Sequence, residues 1–135
     1  MAKTYQAGDT FKHERTCDKY RPIYYAAASG DFNPIHIDPE VGQKAGLGSV
    51  ILQGMCTMAW AAEAAVNYLG DPGALKKVRV RFSRPVFPED TVRIEGKVVS
   101  LEFGTLKGEL SAKNQKGEDV LKGATFEARI PEGVR

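Results

Sequence analysis

One long apolar segment, residues 54–69, constrains the fold of this chain more than any other feature. Its apolar side chains cover nearly the whole helical circumference and belong to Met55, Met58, Ala59, Trp60, Ala62, Ala65, Val66 and Leu69. Only Thr57, Glu63 and Asn67 interrupt them. A helix that is hydrophobic almost all round is buried, and the glycines and proline of residues 70–73 predict a stop and a turn. We therefore expect a long central helix that other elements enclose.

From Leu75 onward the hydrophobic pattern changes from a helical period to a period of two. Val78, Val80 and Phe82 alternate with arginines, and similar alternation continues to Ile130. A change of register near Val98 predicts a β-bulge or a twist, and residues 114–117 predict a hairpin loop. Residues 9–16 predict a short additional strand or an extended arm. These strands are typical of an antiparallel sheet with one buried face, so the sequence predicts an α+β architecture.

The length and composition predict one domain spanning residues 1–135. A net charge of +2 gives no general case for nucleic-acid binding. The first residues lack the apolar region that is typical of a signal peptide. No apolar run in the sequence is long enough to span a bilayer. Two cysteines, Cys17 and Cys56, are too few for a disulfide framework or a zinc site. We expect a cytoplasmic protein with reduced thiols.

The chemically richest stretch is residues 25–38, which places Asp31 and His36 close together in the sequence. Thr16 is a plausible N-cap for a preceding helix that runs to Ser29, although Pro22 should distort that helix or mark its true start. Gly30 is a natural helix end, and Pro34 favours an extended or turned backbone beyond it. A stiff loop that holds a carboxylate near an imidazole suits general acid–base chemistry.

Two other interpretations of this stretch remain open from the residues alone. Asp31 could cap a turn while His36 is satisfied structurally. Asp31, His36 and Asp38 could instead supply metal ligands from one loop, but the chain contains only one other histidine, His13, in a predicted strand. We therefore predict no metal site.

The whole string Tyr25-x-x-x-Ser-Gly-Asp-x-Asn-Pro-Ile-His-x-Asp38 resembles the hydratase motif of the MaoC-like dehydratases, the (R)-specific enoyl-CoA hydratase family. Two later segments, Gln53-Gly-Met55 and Arg81-Phe-x-x-Pro-Val-x-Pro-x-Asp90, resemble the same family. Together they extend the resemblance over most of the chain. It implies a single hot-dog fold, in which a curved antiparallel sheet wraps around the long helix.

The resemblance implies that the chain hydrates trans-2-enoyl thioesters to (R)-3-hydroxyacyl thioesters, or catalyses the reverse dehydration. Asp31 and His36 would bind and activate the water, with Asn33 and Ser29 supporting the site. The backbone N–H of Gly54, at the helix N-terminus, would stabilise the oxyanion. No cofactor is implied beyond the coenzyme A or acyl-carrier protein that holds the substrate. A homodimer is implied, with a heterodimer of related hot-dog subunits as the alternative.

Residues 76–84 form a basic run with two interpretations. It could contact the phosphates of coenzyme A or an acidic acyl-carrier protein, or it could be the solvent-exposed face of a strand. Arg81, Arg84 and Phe82 are the favoured substrate contacts. The chain departs from the commonest family pattern at Gln53, where histidine is usual, and at residues 61–62, where some members carry serine.

Two rival functions remain. An acyl thioesterase would use Glu63 as its carboxylate, although Glu63 and Asn67 could equally form a polar pair on the helix. A non-catalytic acyl-binding subunit would be expected to lack Asp31 or His36, and this chain has both.

Overall fold

A computed structural model of the chain describes residues 3–131. The elements in chain order are β1 (Thr10–Thr16), α1 (Arg21–Ser29), α2 (Pro34–Ile37), α3 (Pro39–Lys44), α4 (Gly54–Leu69), a 3₁₀ turn (Pro72–Ala74), β2 (Leu75–Phe82), β3 (Thr91–Glu102), β4 (Thr105–Lys113) and β5 (Asp119–Arg129).

The five strands form one antiparallel sheet in the order β1-β3-β4-β5-β2. Helix α4 packs against β1, β2 and β3. Alternate residues of β3, β4 and β5 are buried, as expected for a sheet with one face in the core. This confirms the predicted α+β architecture, a long helix packed on an antiparallel sheet.

Two local features of the sheet also confirm the sequence prediction. The β3–β4 register shifts between Val98 and Ser100, where the change of hydrophobic phase predicted a bulge. Asn114 and Glu118 close the β4–β5 hairpin with a backbone hydrogen bond of 3.0 Å, and Gly117 takes a positive φ of 77° in that loop.

Helix α4 has the predicted bounds, but it is not buried all round. Gly70 ends it in the left-handed conformation, with φ 74°. Met55 is 56% exposed and Ala59 is also exposed, whereas Cys56, Trp60 and Ala64 are buried. The helix is thus central and mostly buried or half-buried, as predicted, and its exposed residues are Met55, Ala59 and Asn67.

The predicted start of the first helix was also wrong. Thr16 does not cap a helix; it is the last residue of β1 and pairs with Thr91. The chain remains extended to Cys17, whose N–H donates to Asp90 O at 2.8 Å. Helix α1 begins only at Arg21 and has Pro22 in its first turn. Pro22 thus marks the true start, one of the two outcomes expected.

Candidate active site

The loop that carries Asp31 is shaped by the end of α1. Gly30 takes φ 79°, a conformation that favours glycine, and its N–H donates to Ala26 O at 2.8 Å. Ser29 Oγ donates to Tyr25 O at 2.7 Å and accepts the Asp31 N–H at 3.1 Å. Ser29 therefore connects the last helical turn to the backbone of Asp31.

The segment after Asp31 is a short helix, α2, which begins at Pro34 directly after a non-helical Asn33. Asn33 precedes α2 with φ −52° and ψ 128°, and its Oδ1 accepts the Ile35 N–H at 3.3 Å. Pro34 fits the first turn because it needs no N–H partner. The Asn33 N–H donates to Asp31 Oδ1 at 3.3 Å. Asn33 thus contacts Asp31 through its backbone, while its side chain caps α2.

Helix α2 turns His36 into the protein. The His36 side chain is 9% exposed, and its Nδ1 lies 2.7 Å from Ile51 O. A carbonyl only accepts, so Nδ1 carries the hydrogen and, in the neutral ring, Nε2 is the free acceptor. The Ile51 N–H donates to Ile35 O at 3.1 Å, which fastens the two segments together. The ring orientation of His36 is therefore set by the backbone of Ile51.

The structure brings Asp31 and His36 together. His36 Nε2 lies 3.8 Å from Asp31 Oδ2, and the Asp31 side chain is about half exposed, at 47%. This separation is too long for a direct hydrogen bond and suits a third group that bonds to both atoms, such as a water molecule. Asp38 is not part of the pair: it caps α3, accepting the Glu40 N–H at 3.0 Å.

A cleft of about 370 Å³ joins His36 to Gly54. It is lined by His36, Leu47, Ile51, Leu52, Gly54, Thr57, Phe82, Ser83, Arg84, Pro85, Val86 and Val120. Mostly apolar walls with a few polar groups are typical of small-molecule sites. Asp31 does not line this cleft; it reaches the site through its contact with His36.

Gly54 is the first residue of α4, where backbone N–H groups lack partners within the helix. Its N–H donates to no backbone acceptor among residues 3–131. A Cβ built on Gly54 would lie 3.0 Å from Phe82 Cε1, so a side chain here would press on the ring. Glycine therefore leaves room for the Phe82 ring, and the N–H groups at a helix N-terminus can stabilise negative charge.

The three predicted substrate contacts differ in position. Phe82, half-exposed at the end of β2, lines the cleft. Arg84 also lines it and forms an ion pair with Glu118 at 3.2 Å. Arg81 is exposed on β2 opposite Lys122 and does not line the cleft.

Glu63, the carboxylate of the rival thioesterase function, is bound by two strand residues. Arg15 donates to both carboxylate oxygens, at 2.7 and 2.6 Å, and His13 Nε2 contacts Oε1. The hydrogen bonds from Arg15 lower the pKa of Glu63 to about 2, with a smaller contribution from His13. Glu63 thus ties α4 to β1, and the alternative of a Glu63–Asn67 pair was wrong.

This cluster predicts a pH dependence of stability. Because the folded pKa of Glu63 is about 2 and its ordinary value is 4.5, its stabilising contribution is present above pH 4.5 and is lost as the pH falls towards 2. We expect Glu63→Gln to lower the free energy of unfolding at pH 7. The difference in free energy of unfolding between the variant and the native protein should become smaller as the pH falls towards 2. Denaturant titrations at several pH values measure this.

Glu102→Gln is the matched control, because Glu102 is exposed and has no ion pair within the described part of the chain. A constant difference between Glu63→Gln and the native protein from pH 7 to pH 2.5 would contradict the assignment.

The two cysteines are free and buried. Burial raises the pKa of Cys17 to about 12 and also raises the pKa of Cys56. Cys56 is therefore a core residue, although it lies in the first turn of α4. In the described residues no three His, Cys, Asp or Glu side chains are grouped so that they could hold a metal ion, and no helix there is long and apolar enough to span a membrane.

Sequence reasoning missed the contribution of Gln53. Its side chain is buried, and its Nε2 donates to Pro22 O at 2.9 Å and lies 3.5 Å from Asp31 O. The sequence feature that could have indicated this role is a polar residue placed between the apolar Leu52 and Gly54. The wall residue Thr57 was also missed, because it looked like an interruption of an apolar helix.

Comparison with known proteins places this geometry in a family. A family model described as the MaoC-like domain matches residues 3–119. The probable enoyl-CoA hydratase 2 of Dictyostelium discoideum is 34% identical over 92 residues, 67% of this chain and 31% of that protein. The peroxisomal enoyl-CoA hydratase 2 of Arabidopsis thaliana is 40% identical over 88 residues, 64% of this chain and 28% of that protein. The chain therefore spans less than a third of either curated relative.

Among solved structures, the R-hydratase PhaJ1 from Pseudomonas aeruginosa is similar, with a TM-score of 0.83 and 26% identity. The match covers 95% of this chain and 83% of that one. The helix and sheet of this chain are accordingly a hot-dog fold. With its motif, its fold and most of its length matched, the chain belongs to the MaoC-like dehydratase family.

Proposed function

We propose that this chain catalyses the (R)-specific hydration of trans-2-enoyl thioesters, or the reverse dehydration. The observation that carries the proposal is the Asp31–His36 pair, 3.8 Å apart, with His36 and Gly54 lining one cleft. The names of the curated relatives and of the similar solved R-hydratase support the same reaction class.

In the proposed mechanism, water bonds to both Asp31 and His36. Asp31 takes one proton as the water oxygen forms a bond to C3 of the substrate. The electron pair of the C2–C3 double bond moves towards the thioester carbonyl, and the Gly54 N–H stabilises the negative charge on that oxygen. The proton that Asp31 has taken passes to His36 Nε2, and His36 supplies it to C2. One water is thereby added across the double bond, and both side chains return to their starting protonation states.

The substrate carrier is proposed to bind near the open side of the cleft. Arg84 lines the cleft and Arg81 lies two residues before Ser83 on the exposed edge strand β2, so both can meet the phosphates of coenzyme A or an acidic acyl-carrier protein. Phe82 forms an apolar wall beside Gly54. The proposed reaction uses only water and protons, and no further cofactor.

The test is an assay of the purified protein with a short trans-2-enoyl-CoA, followed by the loss of the conjugated enoyl thioester absorbance. We expect the absorbance to fall and chiral analysis to give the (R)-3-hydroxyacyl product. Release of free thiol would instead indicate a thioesterase. No reaction with either a coenzyme A or a carrier-protein substrate would indicate a non-catalytic subunit.

We also propose that the chain acts as a homodimer in the cytoplasm, with a related hot-dog subunit as the alternative partner. Large apolar side chains remain exposed on α1 and next to the site, those of Tyr20, Ile23, Tyr24, Phe32 and Met55. Exposed apolar groups of this kind are typical of interaction surfaces.

Light scattering tests the oligomeric state, and a solution mass equal to that of a single chain would contradict the dimer. Fractionation of cells that make the protein tests the compartment.

A further inference from the structure

Gln53 is a buried amide that joins α1, the Asp31 loop and α4. It is 1% exposed. Its backbone carbonyl accepts the N–H groups of Cys56 and Thr57 at the start of α4. Its side-chain Nε2 donates to Pro22 O at 2.9 Å and makes a longer contact of 3.5 Å with Asp31 O.

The two acceptors fix which way the amide points. Both are carbonyl oxygens, which only accept, so the NH₂ group must face them. The Gln53 Oε1 then has no hydrogen-bond partner in the described structure, although it is buried. An unpaired buried oxygen is unfavourable, and a methionine of similar volume would avoid it. Glutamine differs from methionine in having two N–H donors. What the amide contributes here is therefore hydrogen-bond donation to the two carbonyls.

The same short segment holds both members of the candidate pair. Ile51 O accepts a hydrogen bond from His36 Nδ1. Gln53, two residues later in the chain, contacts the backbone carbonyl of Asp31. Leu52, between them, donates its N–H to Val86 O at 2.7 Å, which fixes the segment to the residues after β2. The spacing of Asp31 and His36 therefore depends on residues 51–53.

From this arrangement we propose that Gln53 is a positioning residue that holds Asp31 at its working distance from His36. The inference rests on the proposed hydratase function for its kinetic consequence. Without the donors, the Asp31 loop loses its side-chain tie to residues 51–53. A displacement of about 1 Å of a reacting group can lower a rate by roughly 100-fold.

The kinetic test compares Gln53→Met with the native protein and with Asp31→Asn. We expect Gln53→Met to lower kcat by roughly 10- to 100-fold with KM little changed. If Gln53 acts through Asp31, adding Gln53→Met to Asp31→Asn should lower kcat no further. An unchanged kcat in the single variant, or losses that multiply in the double variant, would overturn the proposal.

Two more variants separate positioning from packing. Gln53→His keeps an N–H donor and should retain more of kcat than Gln53→Met. Gln53→Asn keeps the amide but shortens the side chain by one methylene, so the amide no longer reaches both carbonyls. If Gln53→Met does not fold, Gln53→Asn takes its place in the kinetic test. A Gln53→His variant with kcat no higher than that of Gln53→Met would count against the donor role.

A nitrogen NMR measurement tests the positioning without any assay. The chain contains only two histidines, His13 and His36, so their imidazole resonances are readily separated. We expect Gln53→Met to shift the His36 nitrogens in the same direction as Asp31→Asn does, while His13, bonded to Glu63, stays in place. Unmoved His36 resonances would refute the inference. If the native protein shows no hydratase activity, that function fails and the NMR result alone decides the role of Gln53.

Discussion

Replacing Asp31 with asparagine should lower the hydration rate by a factor of about 10² to 10⁴, the usual contribution of a positioned acid or base. Asparagine preserves the shape of the side chain and can still accept the Asn33 N–H through its amide oxygen. It cannot take a proton from water at neutral pH. We therefore expect the loss in kcat rather than in folding, measured by the enoyl-CoA absorbance assay and by circular dichroism.

Replacing His36 with glutamine should cause a loss of similar size. The glutamine amide can still donate to Ile51 O, which the imidazole Nδ1 now contacts, but it cannot supply a proton to C2. Because Asp31 and His36 act on the same water, the double variant should be little worse than either single variant. Losses that multiply would indicate that the two groups act in separate steps.

The same stretch offers matched controls for both substitutions. Asp38→Asn changes the same residue type seven positions from Asp31, where Asp38 only caps α3, and asparagine is an equally good cap. His13→Gln removes the other histidine, which contacts Glu63 instead of the cleft. Both controls should keep the native kcat. A loss in the controls as large as in the site variants would contradict the assignment of Asp31 and His36.

Elements with strong local signals were predictable from the sequence. The bounds of α4 follow from its apolar run and from Gly70, which can take positive φ. The strands follow from their period of two, and the bulge after Val98 from a change of phase. In these places the local preference and the tertiary packing agree, so the sequence alone was sufficient.

Features that depend on distant partners were not predictable. Helix α2 has only four residues, and the Asn33 cap and the burial of His36 support it, which no hydrophobic period reveals. Glu63 finds its partners 48 and 50 residues earlier, on β1. The direction of Gln53 likewise depends on Pro22 and Asp31, which only the folded chain brings near. The motif predicted the candidate pair, but the contacts that hold it in place come from the tertiary structure.

The largest effect on stability is expected at Phe126, in the middle of β5. Phe126 is 1% exposed and is the largest fully buried side chain in the described residues. It lies opposite Gly108 in the β4–β5 register, and a Cβ on that glycine would collide with the ring. Phe11 packs edge-on against it, with ring centroids 5.8 Å apart. The ring thus fills space that Gly108 leaves open and contacts Phe11 of β1, although β3 and β4 lie between the two strands in the sheet.

We expect Phe126→Ala to lower the free energy of unfolding by about 3 to 5 kcal/mol, because it removes a buried ring and leaves a cavity that Gly108 cannot fill. Domains of this size have about 5 to 15 kcal/mol in total, so the denaturant midpoint should fall sharply at an unchanged slope. Phe103→Ala is the control, since Phe103 is 90% exposed and its removal should change stability by less than about 0.5 kcal/mol. Equal effects of the two substitutions would mean that the Phe126 ring is not packed in the core. A large effect at Phe126 alone would mean that the packing of its ring against Phe11 and over Gly108 is a major contribution to the stability of the sheet.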